Sequence, residues 1–269
     1  MEENYMGEKK SKKGTVFIIV LLILIILGLV GYICYDKGLI FKTEKEVVKK
    51  EKKAKEKSVE FTDEELDKYV NYISPSENTT GEPSALLFDK DSVDADELDV
   101  AKKIVYIGGY LSKKETPTSD YQYHVISESD VKAAVEEVYG PDTYEKTTFN
   151  LGCGDYILRE NEGKYYTKTG CGGTTTTTVS NVVIDYKATK KKLEITTAYV
   201  FLAGIAGKIY KDYNQSVVLD NYTDGYTSET QSYLDEYVKK NKDKLNHIVY
   251  TFESKDGKHY YFKGFKNNK

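Results

Sequence analysis

Residues 16–34 read VFIIVLLILIILGLVGYIC, nineteen positions without a charge. A helix that spans a bilayer needs about 20 predominantly apolar residues. The run therefore predicts a transmembrane helix at 15–35, with the lipid bilayer held through residues 16–34. A cleaved signal peptide is the competing reading. Its apolar core is usually only about 7–15 residues long and is followed by a small-x-small cleavage site. This run is longer, and no Ala-x-Ala follows it. Cys34 would suit a lipoprotein, but Ile33 stands where a small residue is needed. The expectation is an uncleaved anchor that divides the chain into a short cytoplasmic tail (1–14), the span (15–35), a charged helical stalk (36–60) and a domain at 61–269.

Orientation is contested by the lysines. Lys9, Lys10, Lys12 and Lys13 precede the span, and Lys37, Lys42, Lys45, Lys49, Lys50, Lys52 and Lys53 follow it. A plain positive-inside count would keep the large domain in the cytoplasm. The upstream lysines sit closer to the run, and the downstream ones alternate with Glu44, Glu46, Glu51 and Glu56. Acidic residues weigh little in that rule, so the cysteines must decide.

Cys153 and Cys171 flank the stretch DYILRENEGKYYTKT. Asn161-Glu162-Gly163 suggests a three-residue hairpin loop, with Gly163 left-handed at the third position. The implied register puts Glu160 opposite Lys164, Leu158 opposite Tyr166 and Ile157 opposite Thr167. Carried outward, it puts Cys153 opposite Cys171. Cross-strand Cβ atoms lie about 4.5–5.5 Å apart, which local adjustment converts into disulfide geometry. A zinc site would want four ligands, and no histidine is near in sequence. A nucleophilic thiol would need a base, and only His124, His247 and His259 exist. A Cys153–Cys171 disulfide is the expectation. It implies an oxidising, extracytoplasmic setting and an N-terminus on the cytoplasmic side.

Beyond the stalk, Thr62 to Glu65 spells a capping box, opening a helix with Leu66, Tyr69, Val70 and Ile73 inward. DADELDVAKKIVYIGGYL predicts a second helix, frayed by Gly108 and Gly109. Ser127 or Ser129 caps a third, which buries Val131, Val135, Val138 and Tyr139 and stops at Gly140-Pro141. From Thr147 the apolar period becomes two. The cysteine hairpin comes first, then 182–188 with 193–201, then short strands near 207–210 and 217–219. A helix at 228–241 follows, with Tyr233, Leu234 and Tyr237 inward. HIVYTFE and KHYYFKGF, joined through Asp256-Gly257, predict a last hairpin. Ile248, Tyr250 and Phe252 are expected to share a face with Tyr261 and Phe265. Helices first and a largely antiparallel meander after them make an α+β fold.

Chemistry is sparse. Arg159 is the only arginine, and the net charge is −4. Bidentate phosphate recognition favours arginine, so nucleic-acid binding is not expected. CGGTTTTT lacks the Gly-Lys-Ser/Thr of a phosphate loop. Residues 220–225, DNYTDG, lack calcium ligands where a calcium loop needs them. Neither a cofactor nor a metal is expected. The 25 tyrosines suit half-buried strand positions. Alternating with lysine, they could also form a binding surface, for which Tyr156, Tyr166, Tyr250 and Tyr261 are the candidates.

The element order loosely resembles the NTF2-like cone fold. The layout, with EEVYGPDTY, CGG, EITTAYVF and YTFESKDGKHYYF, resembles single-pass membrane-anchored envelope proteins of low-GC Gram-positive bacteria. That resemblance implies a plasma-membrane address and carries no activity. The expected function is a non-enzymatic extracytoplasmic domain that binds a cell-envelope or protein partner. The alternatives are an envelope thiol enzyme pairing Cys171 or Cys153 with a histidine, and a cytoplasmic membrane-anchored adaptor.

Overall fold

The computed structural model describes residues 58–75, 84–152, 154–168, 177–204 and 207–269. The apolar run, the stalk and both hairpin cysteines lie outside them. None of the described helices is long and apolar enough to cross a membrane.

Chain order explains the layers. Helix α1 (Asp63–Tyr72) starts where Thr62 Oγ1 accepts from the Glu65 amide and the Glu65 carboxylate accepts from the Thr62 amide, the capping box expected there. α2 (Ala85–Phe88) and strand β1 (Ser92–Asp94) follow. The next helical stretch is broken in two, as its glycines predicted: α3 (Val100–Tyr106), capped by Asp99, and α4 (Gly108–Ser112). The short β2 (Thr116–Pro117) and β3 (Tyr123–Ser127) lead into α5 (Glu128–Tyr139). Ser127 caps α5 and Gly140, at φ +106, ends it. Then come β4 (Phe149–Asn150), β5 (Asp155–Arg159), β6 (Lys164–Lys168), β7 (Thr177–Ala188), β8 (Lys192–Ala203), β9 (Lys208–Tyr210) and β10 (Val218–Asn221). Helix α6 (Thr230–Asn241) precedes the closing pair β11 (Asn246–Glu253) and β12 (Tyr261–Asn268).

The chain is α+β with antiparallel pairing throughout, but its strands form two sheets where one meander was expected. A seven-stranded sheet runs β1-β12-β11-β8-β9-β10, with β7 on the other side of β8. A five-stranded sheet runs β2-β3-β6-β5-β4. The large sheet recruits β1 from the helical half, and the small sheet recruits β2 and β3; a short strand is expected from the sequence at 121–125, near β3, but none at β1 or β2.

The large sheet is covered on both faces. Along β8, Leu193, Ile195, Tyr199 and Phe201 join a core with α1, α3 and α5, while Ala198, Val200 and Leu202 pack with Leu234 and Val238 of α6. Helix α6 was expected to turn Tyr233 inward. That ring is 40% exposed, and Val238 takes the buried position instead. The last hairpin also departs from expectation. A bulge between Thr251 and Phe252 shifts the register, so Phe252 faces Phe262 and Glu253 faces Tyr261. Phe262 and Phe265 enter the core, and Tyr261 lies half-buried with its ring against Gly140.

The small sheet shows one face to the core. Ile126, Tyr156, Tyr165 and Thr167 are buried on it. Its hairpin loop has four residues, 160–163, because Ile157 pairs with Tyr166 and Arg159 with Lys164. Gly163 has the expected left-handed φ of +59, yet the strands slip by one position. The register that had set Cys153 opposite Cys171 is thereby corrected. The pairing of the two cysteines themselves lies outside the described residues.

Candidate binding face

Period two sends every second residue of the small sheet outward. The outward set is Tyr123 and Val125 on β3, Lys164, Tyr166 and Lys168 on β6, and Ile157 and Arg159 on β5. Cross-strand register brings them together: Ile157, Tyr166 and Val125 form one row, and Tyr123 faces Lys168. Ile157 is 52% exposed.

The chain's one arginine organises this face. The Arg159 guanidinium lies 4.0 Å from the centroid of the Tyr166 ring and 5.8 Å from that of Tyr123. Such cation–π contacts at exposed sites contribute about 0.5–1 kcal/mol. The two rings meet edge to face at 6.1 Å. Glu162 accepts from the Tyr166 hydroxyl at 2.5 Å and sits 3.6 Å from Arg159. The Tyr166 hydrogen bond, with Arg159 and Lys164 beside it, holds the Glu162 carboxyl below its ordinary value, and the same bond pushes the Tyr166 phenol up. Glu162 therefore stays ionised, and Tyr166 stays a neutral donor.

A built turn extends the face. Thr118 Oγ1 donates to Asp120 at 2.5 Å and accepts from the Tyr123 amide, and Asp120 accepts from the Gln122 amide. Tyr121 is held within that turn at φ +56, and its side chain is 74% exposed. A non-glycine residue in this region costs about 1 kcal/mol or more and persists where its surroundings enforce it. A hollow of about 300 Å³ lies among Tyr121, Gln122, Tyr123 and Lys168. Flat rings, phenol hydroxyls and two kinds of cation can stack on and hydrogen-bond to a sugar ring or an extended chain.

Of the four tyrosines expected at a surface, Tyr166 is on this face. Tyr156 and Tyr250 are not, at 3% and 0% exposure. The Tyr156 hydroxyl donates to Glu115 at 2.7 Å, and burial followed by that bond raises its phenol. Tyr250 lies in the large-sheet core, where Asn181 donates to its hydroxyl at 3.1 Å. Tyr261 lies elsewhere, beside a cavity of about 450 Å³ between the end of α5 and the β11–β12 turn. Sequence reasoning missed Tyr121, Tyr123, Ile157 and Arg159 as one surface. The signals were the alternation in YHVIS and DYILR and the singular arginine.

The histidines are engaged separately. His124 Nδ1 is 3.6 Å from Glu115, His247 Nε2 is 2.8 Å from the Lys242 carbonyl oxygen, and His259 Nδ1 is 2.6 Å from Asp256. His259 lies in the turn, not on a strand. Hydrogen bonds from the His259 and Lys258 amides, the His259 ring and Ser254 hold the Asp256 carboxyl well below its ordinary range. Among the described residues, no group of three acidic, histidine or cysteine side chains could hold a metal ion. No family model, no curated protein and no solved structure matches the chain.

Proposed function

We propose that this chain is a non-enzymatic, membrane-tethered domain that holds a cell-envelope polymer on the outward face of its small sheet. One observation carries the reading. Half-buried Tyr123 and Tyr166 stack with the exposed sole arginine on the outward face of a sheet whose other face already completes the core. Folding needs only one apolar face per sheet, so the second aromatic face is available for recognition. The anchor at 15–35 and the stalk at 36–60 come from the apolar run and the charged stretch after it, and the extracytoplasmic placement of 61–269 rests on the expected cysteine pair, against the plain lysine count. The Cys153–Cys171 disulfide belongs to the same reading through its oxidising compartment. The likeness to the NTF2-like cone rests on element order alone.

The test is pelleting of the detergent-solubilised full chain with purified Gram-positive wall sacculi. The wild type should sediment with the sacculi in a saturable way. Tyr123→Ala and Tyr166→Ala should each weaken this by about tenfold, the scale of an aromatic anchor. Sedimentation that ignores both substitutions would sink the proposal. Topology is checked on intact cells carrying Cys34→Ser, with a membrane-impermeant thiol reagent. Labelling only after an impermeant reductant is the expected result. Labelling only after lysis would place the domain inside.

A further inference from the structure

Strand β7 is twelve residues long and pairs with β8 alone. It is therefore an edge of the large sheet. Long edges usually carry a bulge, a charge or a cover, because their unpaired amides and carbonyls invite another strand. Here the far end is closed. The Val59 amide donates to the Ala188 carbonyl oxygen, and Ser58 bridges Thr189. The stretch from Val179 to Val183 ends at a register shift before Asp185 and has no such cover among the described residues. Among the described residues, Gln231 Nε2 lies 3.5 Å from the outward Val179 carbonyl oxygen. In an antiparallel strand, the amide and carbonyl of one residue point the same way and alternate along the chain. Val179, Asn181 and Val183 therefore direct their backbone groups away from β8.

Val179, Asn181 and Val182 of this open stretch form the floor of a cavity of about 560 Å³. Its walls are α1, through Asp67 and Asn71, and α6, through Gln231, Asp235 and Lys239. The α6 wall is fixed to the strand by the Ser180 hydroxyl, which donates to Asp235 at 2.7 Å, while Gln231 of the same helix donates to Asp235 at 2.8 Å. On the floor, Asn181 donates to Tyr250, but its Oδ1 is buried without a partner. The charges favour a cation. Asp67 and Asp235 face the groove against the single Lys239, and burial with the nearby Asp63 raises the Asp67 carboxyl.

We infer that the β7 edge between α1 and α6 receives an extended, lysine-bearing peptide strand from a partner protein. Only another extended backbone matches a row of alternating amides and carbonyls. The two walls favour a single inserted strand over the edge of a second copy, which carries the same walls. The site is separate from the tyrosine face and stands or falls independently of it.

The experiment is fluorescence anisotropy with the full chain in detergent. The probes are a fluorescein-labelled ten-residue peptide alternating valine or threonine with lysine, the same peptide with glutamate for lysine, and the lysine peptide with a central proline. The lysine peptide should bind saturably, and each of the other two about tenfold more weakly. Val183→Pro removes an outward amide while leaving the β8 side intact, a substitution edge strands tolerate. It should weaken the lysine peptide about tenfold. Asp67→Lys leaves the backbone alone and should weaken it about threefold, less at high salt. The second variant keeps the test valid if the first fails to fold. Tyr123→Ala should bind the peptide like wild type. No saturable binding of the lysine peptide would overturn the inference, as would equal binding of the glutamate peptide. Binding indifferent to Asp67→Lys and to any folded Val183→Pro would do the same. Self-association that Val183→Pro abolishes would assign the edge to a second copy and overturn it too.

Discussion

The two sheets put the same residue type to opposite uses. Tyr250 on β11 and Tyr166 on β6 are both strand tyrosines in alternating runs. Tyr250 has no exposure and lies between layers, while Tyr166 is half-buried and stacks under an exposed arginine. The difference lies in what covers the sheet. The large sheet has helices on one face and α6 on the other, so both phases of its alternation are core. The small sheet has the core on one face only, so its second phase is open. Tyrosine fits both settings because its ring packs like phenylalanine and its hydroxyl tolerates water. Counting tyrosines therefore cannot locate a binding site, whereas asking which sheet face lacks a layer does.

The contrast can be broken at its strongest point first. Tyr250→Ala should cost about 3–5 kcal/mol, the scale of an aromatic truncation in a full core, read as a lowered denaturation midpoint. A loss below about 1 kcal/mol would mean the large sheet is not packed as described. Next comes the contact joining three helices. Glu137 of α5 accepts from Tyr72 at 2.5 Å and from Tyr110 at 2.6 Å, with Lys68 at 3.5 Å. Burial alone would raise the Glu137 carboxyl, but the Tyr110 and Tyr72 hydroxyls, with Lys68 and Lys114, hold it below its ordinary value of 4.5. A depressed carboxyl contributes stability that is present above its unfolded value and lost as pH falls through the folded one. Resistance to chemical denaturation should therefore fall on acidification below about pH 4.5, and Glu137→Gln should flatten that part of the profile. At neutral pH that substitution should cost about 1–2 kcal/mol, toward the lower end for charged hydrogen bonds because the carboxylate is partly exposed.

On the small sheet the expected signs separate. Tyr166→Ala and Tyr123→Ala should change stability by under about 1 kcal/mol, since each loses only exposed ring contacts, while weakening polymer binding far more. Equal losses of stability and binding would make the face structural. The smallest effect belongs to Arg159→Lys. A lysine keeps the charge but not the planar stack. Stability should hold, and binding should fall about threefold.

Helix starts were legible because capping is local: Thr62 with Glu65, and Ser127 before α5, each fulfil a pattern four residues long. Core positions such as Val131, Val135, Ile248 and Phe252 were legible from period alone. What failed was non-local. A hairpin loop of three or four residues differs by a single pairing at Glu160, yet it moves every residue outward from there, including the position that had faced Cys171. The bulge at Thr251 turned Tyr261 away from the face it was assigned. Two sheets in place of one depend on β1 joining β12 and β3 joining β6 across long loops, and no short window of sequence encodes that choice. The binding face was half-legible. Tyr166 could be named, but its neighbours Tyr121 and Tyr123 come from a segment that only β3–β6 pairing brings beside it.

Hydroxyl-radical footprinting of the full chain, with and without wall sacculi fragments, tests the account most directly. Tyr121, Tyr123 and Tyr166 should be oxidised in the free protein and protected by the fragments, while Tyr156, Tyr165 and Tyr250 stay unmodified in both. Fragments that leave the first three unprotected, or oxidation of Tyr250 at the rate of Tyr121, would contradict it.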